Sequence, residues 1–301
     1  MVSGPEAVVL GGSGVDTIVY VPVLPVPFAD SYPVPTIETR AGQTGDGVTL
    51  GLHALGVRTA LLDTVGGDRE GELVRDLHRL RGVSFIGVPT RSGTKRAVNL
   101  VSPDGRRLSF YDTSRGDPAD RFPQPLLSDL VRSARHVHVS ITSPCQHSLP
   151  LLDSFPVTVS TDLHDWDGEN PYHAVFARRA DIVFMSATAL VNIAATMRKI
   201  LAFGTADTVV ATAGAAGGYL LTRQDGTVRE YSAAVPPGPV IDSNGAGDAF
   251  VAGFLFGHLR GEPLPLCLRY GAVAGAHACT IPSTRVDPIS REALLAAAGS
   301  G

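Results

Sequence analysis

Nine consecutive residues, DSNGAGDAF at positions 242 to 250, combine two carboxylates with two glycines and lead directly into the apolar stretch VAGFLFGHL. A helix that begins after a Gly-Ala-Gly turn has unpaired N–H groups in its first turn, with the positive end of the helix dipole behind them. Gly245 and Gly247 let the backbone turn and approach a ligand closely, which a Cβ would obstruct. The segment therefore predicts an anion site at the start of this helix.

Asp248 lies inside that predicted anion site, and two interpretations of it are open. The carboxylate could simply complement the helix dipole. Next to a bound phosphate, however, a carboxylate would repel the ligand unless its task is to accept a proton from an attacking hydroxyl. The second interpretation makes Asp248 a general base.

The nine residues resemble the D-T-x-G-A-G-D-x-F signature of the PfkB, or ribokinase-like, carbohydrate kinase family, with Ser243 in place of Thr. Four further segments are similar to family motifs, and the resemblance runs from about residue 8 to residue 285. These segments are GGSGVDTIVYV (11–21), AGQTGDGVTLGLHALG (41–56), DTVGGDREGE (63–72) and VVATAGAAGG (209–218).

The resemblance implies a kinase that transfers the γ-phosphoryl group of ATP, with Mg²⁺, to a hydroxyl of a sugar or nucleoside. Asp248 would be the base, and the amides of Gly245, Ala246 and Gly247 would hold the charge of the transferred group. The other implied roles are a sugar site (Asp16, Gly42, Asp46), a nucleotide site (Thr212, Gly214, Gly217) and, at Asp242, the monovalent-cation (K⁺) site that many members possess. Asp16 could instead only end a strand, Gly42 could only form a turn, and Thr212 and Gly214 could only finish a strand.

Two departures from the family pattern bear on activity. The family's Asn-x-x-Glu motif aligns with Ser186 and Ala189, so a carboxylate that helps to organise Mg²⁺ is missing. Since Mg²⁺ is held mostly by phosphates and water, this loss predicts a weakened or repositioned metal. Asp46 stands where the family commonly has Asn, and an ionised Asp accepts hydrogen bonds only. The alternative function is a weak or inactive kinase-fold protein that binds sugar or nucleotide.

Short apolar runs alternate with helical patterns along the chain, which predicts an open α/β fold with a mostly parallel sheet and helices on both faces. Predicted strands fall at 7–12, 59–66, 136–141, 157–162, 181–186 and 207–214, and predicted helices at 47–55, 70–80, 125–134, 172–179 and 187–203. We expect one ribokinase-like domain over residues 1–301, in which Phe250, Phe254 and the Gly253/Gly257 strip dock the helix after the turn on the sheet. The segments SPCQHSLP, AAVPPGPV and LLAAAGSG are predicted loops and a tail.

Residues 17–40 and 94–113 break this rhythm with β-type alternation and prolines suited to edges or turns. They predict a small β-sheet lid, and a homodimer could form through its open edges. Arg106 and Arg107 in this lid could reach over a substrate or solvate a turn.

The composition limits the classes of partner that we expect the protein to bind. A net charge of −4 without a Lys/Arg block argues against nucleic acid, and the lack of a long apolar segment argues against a membrane. Three cysteines without a CxxC pair favour a reducing compartment, so we expect a cytoplasmic protein with a small-molecule partner.

Two further groups of side chains have a structural and a functional interpretation. His136 and His138 could supply half a metal site, although no third ligand is visible. Asp162 or His164, after a strand end, could contact substrate or a metal-bound water, and a solvated loop fits equally.

Overall fold

The computed structural model describes residues 4–299. The strands are β1 (Ala7–Leu10), β2 (Val15–Tyr20), β3 (Ile37–Ala41), β4 (Thr59–Val65), β5 (Ser84–Pro89), β6 (Arg96–Val101), β7 (Arg107–Tyr111), β8 (His136–Val139), β9 (Thr158–Asp162), β10 (Ile182–Ser186), β11 (Thr208–Thr212), β12 (Gly218–Thr222) and β13 (Arg229–Tyr231). The helices are α1 (Thr44–Ala54), α2 (Arg69–Arg81), α3 (Gln124–Arg132), α4 (Ser143–Leu152), α5 (Pro171–Arg179), α6 (Ile193–Phe203), α7 (Ala246–Leu259), α8 (Leu264–Ala278) and α9 (Arg291–Gly299).

The larger sheet has the strand order β13-β12-β11-β10-β9-β8-β1-β4-β5. Neighbouring strands from β11 to β5 in this order are parallel, and β12 and β13 complete it in antiparallel pairings. Strand β1 explains why the sheet needs helices on both faces, since its side chains alternate between two apolar cores. Val8 and Leu10 pack with α3 to α6, whereas Ala7 and Val9 pack with α1, α7, α8 and α9. The predicted α/β fold is confirmed.

Helix α7 shows why its glycines are needed. The rings of Phe250 and Phe254 contact Phe184 of β10, with centroids 6.4 and 5.1 Å apart. The strip formed by Gly253 and Gly257 packs against α8 and not, as predicted, against the sheet. A Cβ on Gly253 would lie 2.5 Å from the carbonyl oxygen of Tyr270 in α8. The aromatic side of α7 therefore docks on the sheet, and the glycine side docks on α8.

The smaller sheet has the order β3-β2-β6-β7 and comes from the two segments with β-type alternation. Directly paired residues share one face of a sheet, and one face of this sheet is polar. Asp16 pairs with Arg40 across β3 and with Ala97 across β6, and Ala97 pairs in turn with Tyr111 of β7. This small sheet is called the lid below.

Three local predictions differ from the structure. SPCQHSLP begins helix α4, because Pro144 lies in the first turn, where its missing N–H leaves no hydrogen bond unmade. LLAAAGSG lies largely in helix α9, and its last two residues fall outside the described range. The helix predicted from 187 starts only at Ile193, where the Asn192 side chain accepts a hydrogen bond from the Ala195 N–H. Within residues 4–299, no helix has the length and hydropathy needed to cross a membrane.

Candidate active site

The first turn of α7 provides open backbone donors. Gly245 precedes the helix with φ 77° and ψ −1°, a left-handed conformation that favours glycine, and no side chain caps the helix. The Ala246 N–H donates to the Ser243 carbonyl at 3.3 Å. The N–H groups of Gly247 and Asp248 have no hydrogen-bond partner in the described part of the chain. Two unpaired donors at the positive end of a helix make an anion cradle.

Asp248 supplies one of these two donors, and its side chain is half-buried against α1. A Cβ on Gly47 would approach the Asp248 Cβ to 2.9 Å, so the two helices are in close contact here. The pKa of Asp248 is raised to about 6, chiefly by burial and to a smaller extent by the negative charge of Asp162. The charges of His164 and Arg107 and a hydrogen bond with Thr44 lower this pKa, but less than burial raises it. A carboxylate with a pKa near 6 is ionised at neutral pH and can still accept a proton effectively.

Asp16 lies on the polar face of the lid. Its carboxylate accepts a hydrogen bond from Gln43 Nε2 at 3.0 Å, and the residue is buried. Burial raises the pKa of Asp16, while the charges of Arg40 and Arg107 lower it. Partial burial raises the pKa of Tyr111, and the charges of Asp16 and Asp248 contribute in the same direction, although most of the residue is exposed. Gln43, which contacts Asp16, and Thr44, which hydrogen-bonds with Asp248, are neighbours in the chain, so the two acids flank the start of α1. Tyr111 lies on the same face of the lid as Asp16, and the space between this face and the larger sheet is called the crevice below.

Asp46 is held by contacts within the chain, and its predicted place in the sugar site stays a prediction. The residue has no exposed surface. Its carboxylate accepts hydrogen bonds from the Ser13 hydroxyl at 2.8 Å and the Gln43 N–H at 2.9 Å, and His78 Nε2 lies 2.7 Å away. All of these partners belong to the chain itself. Asp46 thus fixes the start of α1 and holds Gln43, which in turn contacts Asp16.

Gly42 immediately precedes that helix start and is also buried. Its φ of 131° lies in the region that favours glycine. The Gly42 carbonyl accepts a hydrogen bond from Arg40 Nη1 at 2.6 Å, and the Gly42 N–H donates to the Gly14 carbonyl at 3.0 Å. Gly42 therefore shapes the backbone beside Asp16, and a direct contact with sugar stays a prediction.

The predicted nucleotide residues lie at the end of β11. The Thr212 hydroxyl donates to the Met185 carbonyl at 3.4 Å, and Thr212 pairs with Ser186 in the sheet. A 3-10 turn over Gly214–Ala216 follows, with Gly214 exposed and Gly217 at φ 86°. Ser186 contacts Thr188, with their hydroxyl oxygens 2.9 Å apart, and Ala189 is exposed. This edge is thus open to solvent and carries no carboxylate at position 189.

Asp242 is fully buried and fully hydrogen-bonded. One carboxylate oxygen accepts from the Tyr20 hydroxyl at 3.0 Å and the Ser283 N–H at 2.8 Å. The other accepts from the Ser283 hydroxyl at 2.6 Å and the Asn244 N–H at 2.9 Å. Asp242 therefore ties the lid to the turn before α7, and a cation would have to replace one of these bonds. The monovalent-cation role stays a prediction.

The structure also separates the two lid arginines. Arg106 pairs with Asp104 inside its own turn, at 2.7 Å. Arg107 reaches across and donates to the Asn244 side chain, next to the anion cradle. The lid hairpin is further fixed there by a 3.0 Å hydrogen bond from the Ser243 hydroxyl to the Gly105 carbonyl. Only Arg107 thus belongs to the site.

Sequence reasoning left Asp162 and His164 undecided, and the structure brings both to the cradle. A Cβ on Gly247 would have Asp162 Oδ2 as its nearest neighbour, at 3.9 Å. His164 Nδ1 lies 3.7 Å from the same oxygen. The signal available in the sequence was that Asp162 and His164 lie at the end of a predicted strand, where ligands bind in α/β sheets. His136 and His138, by contrast, are buried core residues that share the Ser160 hydroxyl at 2.7 and 2.9 Å.

A parallel α/β sheet, an open helix start, and a carboxylate poised to accept a proton beside it define an enzyme of the phosphoryl-transfer class. Comparison with known proteins gives the same class. Residues 169–290 match the model of the pfkB family of carbohydrate kinases. The chain is 60% identical over 290 residues to the acarbose 7(IV)-phosphotransferase of Actinoplanes sp. SE50/110, covering 96% of this chain and 97% of the relative.

Two solved structures are similar over nearly the whole chain. A microbiome-derived acarbose kinase superposes with a TM-score of 0.92 at 41% identity, covering 98% of this chain and 99% of that one. The ribokinase of Arabidopsis thaliana, solved with ribose and ATP, superposes with a TM-score of 0.77 at 20% identity, covering 98% and 99%. The second likeness concerns the fold alone. The chain belongs to the pfkB family of carbohydrate kinases.

Proposed function

We propose that this enzyme phosphorylates a hydroxyl of acarbose, or of a closely similar saccharide, with ATP as donor. The observation that carries the reaction type is the half-buried Asp248 beside two unpaired amides of α7. The substrate is inferred from the relative with 60% identity, which is an acarbose phosphotransferase, and from the acarbose kinase with 41% identity.

In the proposed mechanism, the acceptor hydroxyl of the sugar lies against Asp248. As the oxygen attacks the γ-phosphorus, its proton passes to the carboxylate, whose raised pKa suits a proton acceptor near neutral pH. The N–H groups of Gly247 and Asp248 donate to the transferred phosphoryl oxygens. The bond to the β-phosphate oxygen breaks, and ADP leaves with the electron pair.

The crevice supports a saccharide as the acceptor. Asp16 can accept hydrogen bonds from sugar hydroxyls, because Gln43 is its only hydrogen-bond partner in the described residues. The exposed ring of Tyr111 offers an apolar surface for the face of a sugar ring. We place the nucleotide against Thr212, Gly214 and Gly217, at the exposed end of β11.

Residues 4–299 contain no group of three His, Cys, Asp or Glu side chains that could hold a metal ion. They do not fit a protein-built Mg²⁺ cage. We therefore propose that Mg²⁺ would be coordinated by the ATP phosphates and by water, which is its usual environment in kinases.

The lid also supports a homodimer. The face opposite Asp16 exposes four apolar side chains that the sheet register places together, namely Ile37, Val98, Leu108 and Phe110. An apolar sheet face of this kind is typical of an interface. Light scattering should give twice the mass of the chain, and Phe110→Glu should halve it.

We also place the enzyme in the cytoplasm, where its three free cysteines would stay reduced.

The test is a substrate panel for the purified chain with ATP, comprising acarbose, ribose, fructose and adenosine. ADP release and a product one phosphate heavier by mass spectrometry should appear with acarbose and vanish in Asp248→Asn.

The loss of the family carboxylate at Ala189 favours a second candidate, a protein that binds without turnover. Saturable binding of acarbose and ATP by calorimetry, with no product from any acceptor, would establish that candidate and refute ours.

A further inference from the structure

The residues around Asp248 include a charged side chain with no role in the mechanism above. His164 follows β9 and adopts φ 53°, the only positive φ of a non-glycine residue in the described chain. A left-handed backbone is strained at such a residue, because its Cβ approaches the following carbonyl oxygen. Backbone strain of this kind persists where the surroundings enforce it, and it concentrates at functional sites.

Two hydrogen bonds enforce the conformation. The His164 N–H donates to Asp162 Oδ1 at 2.9 Å, and the His164 carbonyl accepts from the Ser186 N–H at 2.6 Å. The residue is thus clamped between the ends of β9 and β10. Its imidazole is held as well, with Nδ1 3.7 Å from Asp162 Oδ2 and 32% of the side chain exposed.

The clamp places the imidazole beside the anion cradle. Asp162 Oδ2 is near both groups, 3.7 Å from His164 Nδ1 and 3.9 Å from the Cβ position of Gly247. His164 also exerts the largest effect of any charge on Asp248, lowering its pKa. A protonated imidazole in this position would balance the two carboxylates and attract a phosphoryl group.

The other charged or imidazole side chains near Asp248 and His164 are less suited to stabilise a phosphoryl group. Arg107 is the other cation that acts on Asp248, and it comes from the lid and donates to Asn244. The imidazoles of His138 and His173 also lie within electrostatic reach of His164, and burial is the main cause that lowers the pKa of both. His138 is buried in the core, and His173 lies on α5. Among these groups, His164 is the cation fixed to the larger sheet next to the cradle.

We infer that His164, as an imidazolium held by Asp162, is a catalytic residue that contacts the transferred phosphoryl group and stabilises the charge that develops on it. Charge stabilisation in the transition state, rather than substrate binding, is what raises the rate of phosphoryl transfer. The role rests on the proposed kinase function and adds a residue to it.

His164→Asn tests this role, because Asn tolerates a left-handed backbone but carries no charge. We expect kcat to fall about 30-fold or more, with KM for ATP and acarbose within about threefold. Affinity for ADP with aluminium fluoride and acarbose, which mimics the transition state, should fall by a similar factor while affinity for ADP alone is kept.

Two further variants make the result decisive. Asp162→Asn keeps an acceptor for the His164 N–H but removes the charge, so it should show a smaller loss in the same direction. His173→Asn, a nearby half-buried imidazole, should behave like the parent. Unchanged kcat and unchanged aluminium-fluoride affinity in His164→Asn would overturn the role. A parent that phosphorylates no saccharide would overturn the proposed function as well, whereas an active parent with a fully active variant would overturn only the role of His164.

Discussion

Gly47 of α1 lies against Asp248 of α7, so close that a Cβ at position 47 would be 2.9 Å from the Cβ and 3.1 Å from Oδ2 of the acid. Contacts of this length require something to move. The nearest of these atoms, the Asp248 Cβ, moves only with the α7 backbone, so a Cβ at position 47 would displace Asp248 together with the start of α7. The position of the proposed base therefore depends on a glycine in another helix.

Gly47→Ala should lower kcat about 10- to 100-fold, because a displacement of the base by a few tenths of an ångström to 1 Å is costly in rate. The free energy of unfolding should change little, since Ala is the better helix former and offsets part of the clash. Steady-state kinetics and thermal unfolding measure the two effects. Gly51→Ala is the matched control, because its Cβ would meet Ala252 of the same helix, 2.6 Å away, and not Asp248. A Gly47→Ala enzyme with parental kcat would contradict this account.

The pH dependence should report the raised pKa of Asp248. A base must be deprotonated to act, so kcat/KM should fall as the pH drops through about 6. Stability should respond in the opposite sense. The folded state retains a proton between the ordinary pKa of 3.8 and about 6, so ionising Asp248 destabilises the fold as the pH rises through that window.

At pH 7, the free energy of unfolding of Asp248→Asn should therefore exceed that of the parent by about 1 kcal/mol, once solvent screening of this half-buried group is included. The variant should accordingly unfold at a higher temperature. The difference should shrink below pH 4. Differential scanning calorimetry at pH 4 and pH 7 makes the comparison. Equal stabilities at pH 7 would indicate that the carboxylate is not held in a desolvated position.

How far the sequence predicts this site depends on whether the partners are neighbours in the chain. Asp248 and the glycine turn lie within nine residues, so their relationship is local and the pattern predicts it. The burial of Asp46 depends on His78 from α2 and on Ser13, which only the fold brings to it. Its spacing from Gln43 is that of a capping box, a local signal that favours the structural role.

Asp162 and His164 show the limit more sharply. Their approach to Gly247 depends on the order of β9, β10 and the helices above them, and no local pattern encodes that order. The left-handed backbone of His164 depends in the same way on a hydrogen bond from Ser186 in a neighbouring strand. The two lid arginines have the same residue type, and the sheet register decides which one reaches the cradle.

Arg107→Ala should lower kcat/KM for the saccharide about tenfold, because the lid would lose its tie to Asn244 and a positive charge near Asp16 and Asp248. Arg106→Ala is the control, since Arg106 pairs within its own exposed turn and should change kcat/KM by less than about twofold. Initial-rate kinetics at subsaturating saccharide compare the two. Equal losses in both variants would mean that the lid acts through its general charge.

Gly245→Ala should destabilise the protein by about 1 kcal/mol, because an L-residue at φ 77° is strained. Among residues 4–299, apart from the two chain neighbours of Gly245, no atom lies within 4 Å of the added Cβ, so a steric clash does not contribute. Urea unfolding measures the change. Gly238→Ala, whose φ lies outside the left-handed range and whose Cβ would make only an ordinary contact with Thr280, should be neutral or slightly stabilising. A neutral Gly245→Ala would show that the turn before α7 relaxes at no cost.

The central claim is that Asp248 takes the proton of the acceptor hydroxyl during transfer. Single-turnover transfer from γ-labelled ATP to acarbose, with enzyme in excess, isolates that chemical step from product release. The account predicts that Asp248→Asn slows the step about 10²- to 10⁴-fold while both substrates bind with dissociation constants within about threefold of the parent. A variant that transfers the label at the parental rate would contradict it.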